Sequence, residues 1–107
     1  MNMREIDLRT DFFWIKVVEM LQHNWAVIRE TRRKEIEIIF FHDGSVVFDK
    51  ITCKSRRQAE VDLGRNGFLP YDDPHEDFHD FVAKPVGPFL MGRESRRPIY
   101  SSGEFWR

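Results

Sequence analysis

Two apolar runs on either side of a short polar turn dominate the hydrophobic pattern of this chain. The runs are Glu35–Phe41 and Ser45–Cys53, and both are rich in β-branched and aromatic residues. An Asp43-Gly44 pair stands in the turn between them, and both residue types adopt positive φ at little steric cost. The pattern therefore predicts a β-hairpin.

The turn length sets the register of this hairpin. A two-residue turn places Glu37 opposite Lys50, a favourable cross-strand pair, so we favour it over a three-residue turn with a glycine bulge. One face would then carry Ile36, Ile38, Phe40, Val47 and Ile51. The other face would carry Ile39, Phe41, Val46 and Phe48. Both faces are apolar near the turn, which indicates that the second face is covered by the C-terminal segment, a second subunit or a partner.

Periodic apolar positions before the hairpin predict a helix. Trp14, Val17, Val18 and Leu21 recur at helical spacing, so we expect a helix from Thr10 or Asp11 to about His23. Trp25–Glu30 then reads as the first strand of an antiparallel meander, and a polar turn connects it to the hairpin.

A second helix follows the hairpin. Ser55 and Gln58 have the spacing of a capping box, and Gly67 suits the left-handed position just past a helix end. Phe68 would contact Leu63 there, as in a Schellman cap.

The C-terminal part carries prolines and scattered aromatic residues without clear periodicity. We expect it to wrap the body in extended form, with one helical turn at Pro74–Phe81. The predicted fold is α+β: a helix, a three-stranded antiparallel β-meander, a helix, and a long, mostly irregular, aromatic-anchored segment. Residues 1–107 would form a single domain, with a body at 1–69 and a wrap at 70–107.

Composition narrows the class of protein. The formal net charge is −1, which gives no overall attraction to nucleic acid or to a membrane surface. Cys53 is the only cysteine, so no intramolecular disulfide framework forms. The start of the chain does not resemble a signal peptide, and no apolar run has the length to span a bilayer. We expect a cytoplasmic protein.

One short motif carries catalytic chemistry in other proteins. His75-Glu76-Asp77-Phe78-His79 matches H-E-x-x-H, in which two histidines on a helix bind zinc and the glutamate acts as general base. Glu94 would be the third ligand. The charged Asp77 and Asp80 stand where such helices are apolar, so an exposed acidic turn is the favoured interpretation. We therefore expect no cofactor, and a zinc-dependent hydrolase using His75, Glu76 and His79 is the alternative.

Two other kinds of site receive little support from the sequence. Cys53 lies just before a helix N-terminus among basic residues, but no partner base is recognisable, so we interpret it as a small buried hydrophobe. The C-terminal arginines and aromatic residues are typical of single-stranded nucleic-acid binding, but a near-neutral chain with a nearby acidic cluster does not favour it.

The sequence therefore favours a non-enzymatic protein-binding module of the adaptor, inhibitor, immunity or mobile-element regulator type. Its partner would be another protein, or alternatively a second copy of the chain, and not a membrane. Aromatic residues and arginine are enriched at interface hot spots. The candidate partner-binding residues are Ile39, Phe41, Val46, Phe48, Arg96, Arg97, Tyr100 and Trp106.

Overall fold

A seven-stranded mixed sheet and two short helices make up the described part of the protein. The structure, a computed structural model, describes residues 4–19 and 22–91. The strands are β1 (Arg4–Ile6), β2 (Trp14–Glu19), β3 (Gln22–Glu30), β4 (Ile36–His42), β5 (Val46–Cys53), β6 (Leu69–Pro70) and β7 (Phe89–Met91). The helices are α1 (Arg56–Arg65) and α2 (Phe78–Phe81). The strand order is β1-β7-β5-β4-β3-β2-β6, with β5 and β7 parallel and the other neighbours antiparallel.

The predicted fold class is wrong, and the first helix is the largest error. Within the predicted helix, Trp14–Glu19 instead form β2 and residues 22–23 begin β3, and the two strands pair antiparallel with Trp14 opposite Ala26. Ile15 is buried on one face of β2, while Trp14 packs against the core on the other. A strand that is apolar on both faces does not alternate, so its pattern was mistaken for helical periodicity.

The β4–β5 hairpin is present, but its register differs from the prediction. Phe41 pairs with Val47 while Phe40 pairs with Asp49, so β5 contains one more residue than β4 across this step. Glu37 consequently lies opposite Thr52 instead of Lys50.

The turn explains this register. Ser45 adopts a φ of 66°, and its N–H donates to His42 O at 2.9 Å. A turn that ends in a left-handed residue is the usual form of a longer hairpin loop with a bulge. The left-handed position therefore falls on Ser45, one residue after the predicted Asp43-Gly44 pair.

The two faces of the sheet pack against different covers. One core contains Ala26, Ile28, Ile38, Phe40, Phe48, Ala59, Leu63 and Phe68, so α1 covers this face. The other core contains Leu8, Phe13, Ile15, Trp25, Val27, Ile39, Phe41, Val47 and Tyr71. Phe78, Val82 and Phe89 pack against this second core, so the segment after β6 covers it. The bulge also exchanges the predicted faces of Val47 and Phe48.

The C-terminal cap of the second helix is confirmed, and so is the Ser55 half of the capping box, while Gln58 Nε2 donates to Asp62 Oδ1 instead of closing the box. Ser55 Oγ accepts a hydrogen bond from Gln58 N at 3.1 Å. Gly67 has a φ of 89°, and Phe68 N donates to Leu63 O at 2.9 Å, as in a Schellman motif. Leu63 and Phe68 are both buried against the sheet, so the cap also fixes how α1 packs.

The C-terminal segment is only partly irregular. It includes α2 within the predicted helical turn, and then β7 enters the sheet between β1 and β5. The sheet therefore includes a strand, β7, that lies outside the predicted body of residues 1–69. The remaining aromatic anchors of the predicted wrap, Tyr100, Phe105 and Trp106, lie outside the described residues.

Candidate partner-binding site

The predicted apolar patch on the hairpin does not form one exposed surface. Ile39 and Phe41 are fully buried in the core that the segment after β6 covers. Phe48 is buried in the other core, beneath α1, and Val46 is half-buried. The other candidate residues, Arg96, Arg97, Tyr100 and Trp106, lie outside the described part of the chain.

The H-E-x-x-H motif is not helical as a unit. α2 begins at Phe78, so His75 lies in the preceding turn and His79 lies in the helix. His79 Nε2 is 2.7 Å from Asp72 Oδ1, and its ring stacks on Tyr71 with centroids 4.4 Å apart. No group of three or more His, Cys, Asp and Glu side chains with metal-binding geometry occurs within residues 4–19 and 22–91. Glu94 lies outside these ranges.

Cys53 lies in surroundings that disfavour the thiolate. Burial raises the pKa of the Cys53 thiol, and the nearby Asp62 carboxylate raises this pKa further. Because the thiolate is the nucleophile, the thiol is held in its less reactive form. Cys53 packs against the core beneath α1.

A groove rich in cations lies where the β1–β2 connection meets the β3–β4 turn and the start of α1. We call it the basic groove. Its volume is ≈ 660 Å³. The cations that line it are Arg9, Arg29, Arg32, Lys34 and Arg56, with Glu30 as the one carboxylate among its lining residues. Three separate stretches of sequence therefore supply one positive surface.

The cations of the groove differ in what they contact. Arg29 is half-buried and pairs with Glu37 at 3.1 Å, and its Nη1 also donates to Asp7 O at 2.6 Å. The other four cations are exposed, and none of the ion pairs between described residues involves them. Arg29 therefore supports the groove, while Arg9, Arg32, Lys34 and Arg56 expose their charge at its surface.

A smaller pocket continues the groove toward β2, and we call it the aromatic pocket. It has a volume of ≈ 290 Å³ and shares Thr10, Ile28 and Arg56 with the basic groove. Phe12 and Trp14 also line it, with ring centroids 6.0 Å apart, and Phe12 is 48% exposed. The exposed ring of Phe12 beside unpaired cations gives this surface both apolar and charged groups.

Backbone conformation singles out two of the four free cations. Arg9 and Lys34 adopt φ values of 62° and 64°, in the left-handed region that non-glycine residues disfavour. Arg9 N donates to Asp7 Oδ1, and Lys34 N donates to Thr31 O, so local turns hold both conformations.

Sequence reasoning did not identify this site. The apolar periodicity predicts a helix over Phe12 and Trp14, and Arg32 lies in the polar turn predicted between the first strand and the hairpin. The available signal was the density of basic residues at Arg29–Lys34 and at Lys54–Arg57. Only the sheet order brings these two stretches and Arg9 to a common groove.

Comparisons with known proteins identify no relative of this chain. No protein-family model, no curated protein and no solved structure matches the chain. Within the described residues, no helix has both the length and the apolar composition needed to cross a membrane.

Proposed function

We propose that this chain is a non-enzymatic protein-binding module whose docking site is the basic groove together with the aromatic pocket. The observation that carries the proposal is the position of four free cations beside the exposed ring of Phe12. Arginine and aromatic side chains dominate binding energy at protein interfaces. An adaptor, an inhibitor or immunity protein, or a regulator of a mobile element, acting in the cytoplasm, fits such a module.

The first test removes two groove cations without weakening the fold. The variant Arg9→Gly with Lys34→Gly deletes both charges at positions where glycine relieves a left-handed conformation that costs other residues about 1–2 kcal/mol. We therefore expect a melting temperature equal to or above that of the unchanged protein. Tagged protein and variant are each incubated with lysate of the source organism, and the retained proteins are identified by mass spectrometry.

The matched control is Arg33→Ala with Arg57→Ala. Both residues are exposed neighbours of groove residues, and neither lines the groove. We expect a protein that the unchanged chain and the control retain and that Arg9→Gly with Lys34→Gly loses. Equal retention by all three would show that the groove is not the docking site.

A further inference from the structure

We propose that the basic groove and the aromatic pocket receive the segment Glu76–Phe81 of a second copy of this chain. We call this stretch the acidic segment. The inference rests on the proposed function, because it names the partner of the same docking site.

The acidic segment carries negative charge, which complements the positive charge of the basic groove. Glu76, Asp77 and Asp80 are exposed, and none of the ion pairs between described residues uses them. The nearby Asp72 is different, because it already contacts His79. Three free carboxylates within five residues complement the four free cations of the groove.

The acidic segment also presents an apolar side chain. Phe81 ends α2 and is 78% exposed, although Phe78 of the same helix packs against the core. The acidic segment thus combines an exposed aromatic ring with carboxylates. The docking site combines the ring of Phe12 with the cation of Arg56, so the two surfaces can pair ring with ring and charge with charge. Edge-to-face contact between Phe81 and Phe12 of two copies would add to the charge pairing.

The two surfaces lie on opposite faces of one molecule, so a chain does not fill its own groove. Phe78 and Val82 hold the acidic segment over the core that contains Trp25. The aromatic pocket lies beside α1, on the face to which Ile28 and Trp14 contribute, and the basic groove adjoins this pocket through Thr10, Ile28 and Arg56. Contact between copies is therefore head to tail, which produces a ring or an open chain of molecules.

The site favours a protein segment over a nucleic acid. Glu30 lines the basic groove and Glu60 lines the aromatic pocket, so carboxylates interrupt the cations. A nucleic acid carries a phosphate at every nucleotide and would place some of them against these carboxylates. A protein segment with separate acidic and apolar residues avoids that repulsion.

The test uses two charge-reversed proteins. The groove variant is Arg32→Glu with Arg56→Glu, and the acidic variant is Glu76→Lys with Asp80→Lys. All four residues are exposed, so the fold is expected to persist, and circular dichroism checks this. Each variant keeps one intact docking surface. In a head-to-tail arrangement each variant alone associates more weakly than the unchanged chain, whereas a mixture of the two forms a complex of one groove variant with one acidic variant.

Sedimentation velocity at low and at high salt measures the association. We expect the unchanged chain to associate at low salt and to dissociate at high salt, with each variant alone weakened at least about tenfold. The control Arg33→Glu with Arg57→Glu changes the same charge outside the groove and should associate as the unchanged chain does. Phe81→Ser should weaken association at low salt, because it removes the apolar contact without changing any charge.

Three outcomes would overturn the proposal. An unchanged chain that stays monomeric at low salt excludes self-association, and the retention experiment above then decides separately whether the groove binds another protein. Variants that associate alone as well as they do in the mixture would place the contact elsewhere. A labelled single-stranded oligonucleotide that binds the unchanged chain, but not the groove variant, would assign the groove to nucleic acid.

Discussion

Polar side chains in the turns hold the sheet to its neighbouring segments. Asp43 accepts hydrogen bonds from the indole Nε1 of Trp25 at 2.8 Å and from the main-chain N–H of His23, so the β4–β5 turn is fixed to β3. Ser45 Oγ donates to Val86 O at 2.7 Å, while Ser45 O accepts from Leu90 N. Ser45 therefore links the turn to the strand that completes the sheet, which accounts for a non-glycine residue in a left-handed position.

At the residue scale, the His42 side chain makes the free energy of unfolding depend on pH. Its ring stacks on Phe48 with centroids 4.3 Å apart, and burial lowers the pKa of His42 although the Asp43 carboxylate acts in the opposite direction. The unfolded chain therefore binds this proton more readily than the folded protein does. At high pH, His42 should therefore not affect the free energy of unfolding. This free energy should decrease as the pH falls below about 6.5, the usual histidine pKa, and should stop decreasing below the pKa that His42 has in the folded protein.

His42→Phe isolates this contribution. It keeps an aromatic ring against Phe48 but removes the titrating group, so stability should fall less between about pH 7.5 and about pH 5.5 than it does in the unchanged protein. Urea unfolding at the two pH values measures the difference. An identical loss in both proteins would contradict the assignment, because the other histidines are common to both.

At the scale of elements, stability depends on the central strands and on the helix that covers one of their faces. β3, β4 and β5 supply most of the fully buried side chains, and α1 contributes Ala59 and Leu63. Arg29 and Glu37 pair across β3 and β4 with each side chain only 15% exposed. This contact replaces the predicted pair between Glu37 and Lys50, because the bulge moves Lys50 opposite Ile39.

Truncating the buried side chains of β4 should be costly. Ile38 and Phe40 are fully buried beneath α1, so Ile38→Ala should cost about 2–5 kcal/mol and Phe40→Ala about 3–5 kcal/mol of unfolding free energy. Val61→Ala on the exposed side of α1 is the control, and we expect it to stay within about 0.5 kcal/mol. Chemical denaturation measures all three. Losses below about 1 kcal/mol at both strand positions would disagree with this packing.

At the scale of the whole molecule, the sheet lies between α1 and the segment after β6. Tyr71 joins that segment to the sheet, because its ring lies 5.4 Å from the ring of Trp25. Its hydroxyl donates to Val82 O, so one residue both fills the core and closes the loop that contains α2. The acidic segment that we propose as an interface therefore depends on Tyr71 for its position.

Two substitutions of Tyr71 separate these roles. Tyr71→Phe removes the hydrogen bond to Val82 and should cost about 0.5–1.5 kcal/mol, whereas Tyr71→Ala also opens the core and should cost about 3–5 kcal/mol. Urea unfolding measures the cost, and hydrogen exchange should show faster exchange at Phe78–Val82 in Tyr71→Ala. If both variants lost the same free energy, the ring would contribute nothing to covering this face.

Features that depend on residues close in the chain were predictable from the sequence. The cap at Ser55, the left-handed Gly67, the contact of Phe68 with Leu63 and the presence of the β4–β5 hairpin all involve groups within a few residues of each other. Sequence alone did not place the left-handed turn residue at Ser45, because two of its three hydrogen bonds join it to the distant Val86 and Leu90, and only the one to His42 is local.

Only the tertiary structure decided the sheet and the candidate site. Residues 14–19 become a strand because β3 and β6 offer hydrogen-bonding edges and the two cores take up Ile15 and Trp14 on opposite faces, and neither condition can be read from local periodicity. β7 joins β1 and β5 from more than thirty residues away along the chain. The basic groove has the same origin, since Arg9, Arg32 and Arg56 share a surface only once the strands are in order. The sequence by itself therefore determined the turns and caps, while packing between distant segments determined which side chains meet.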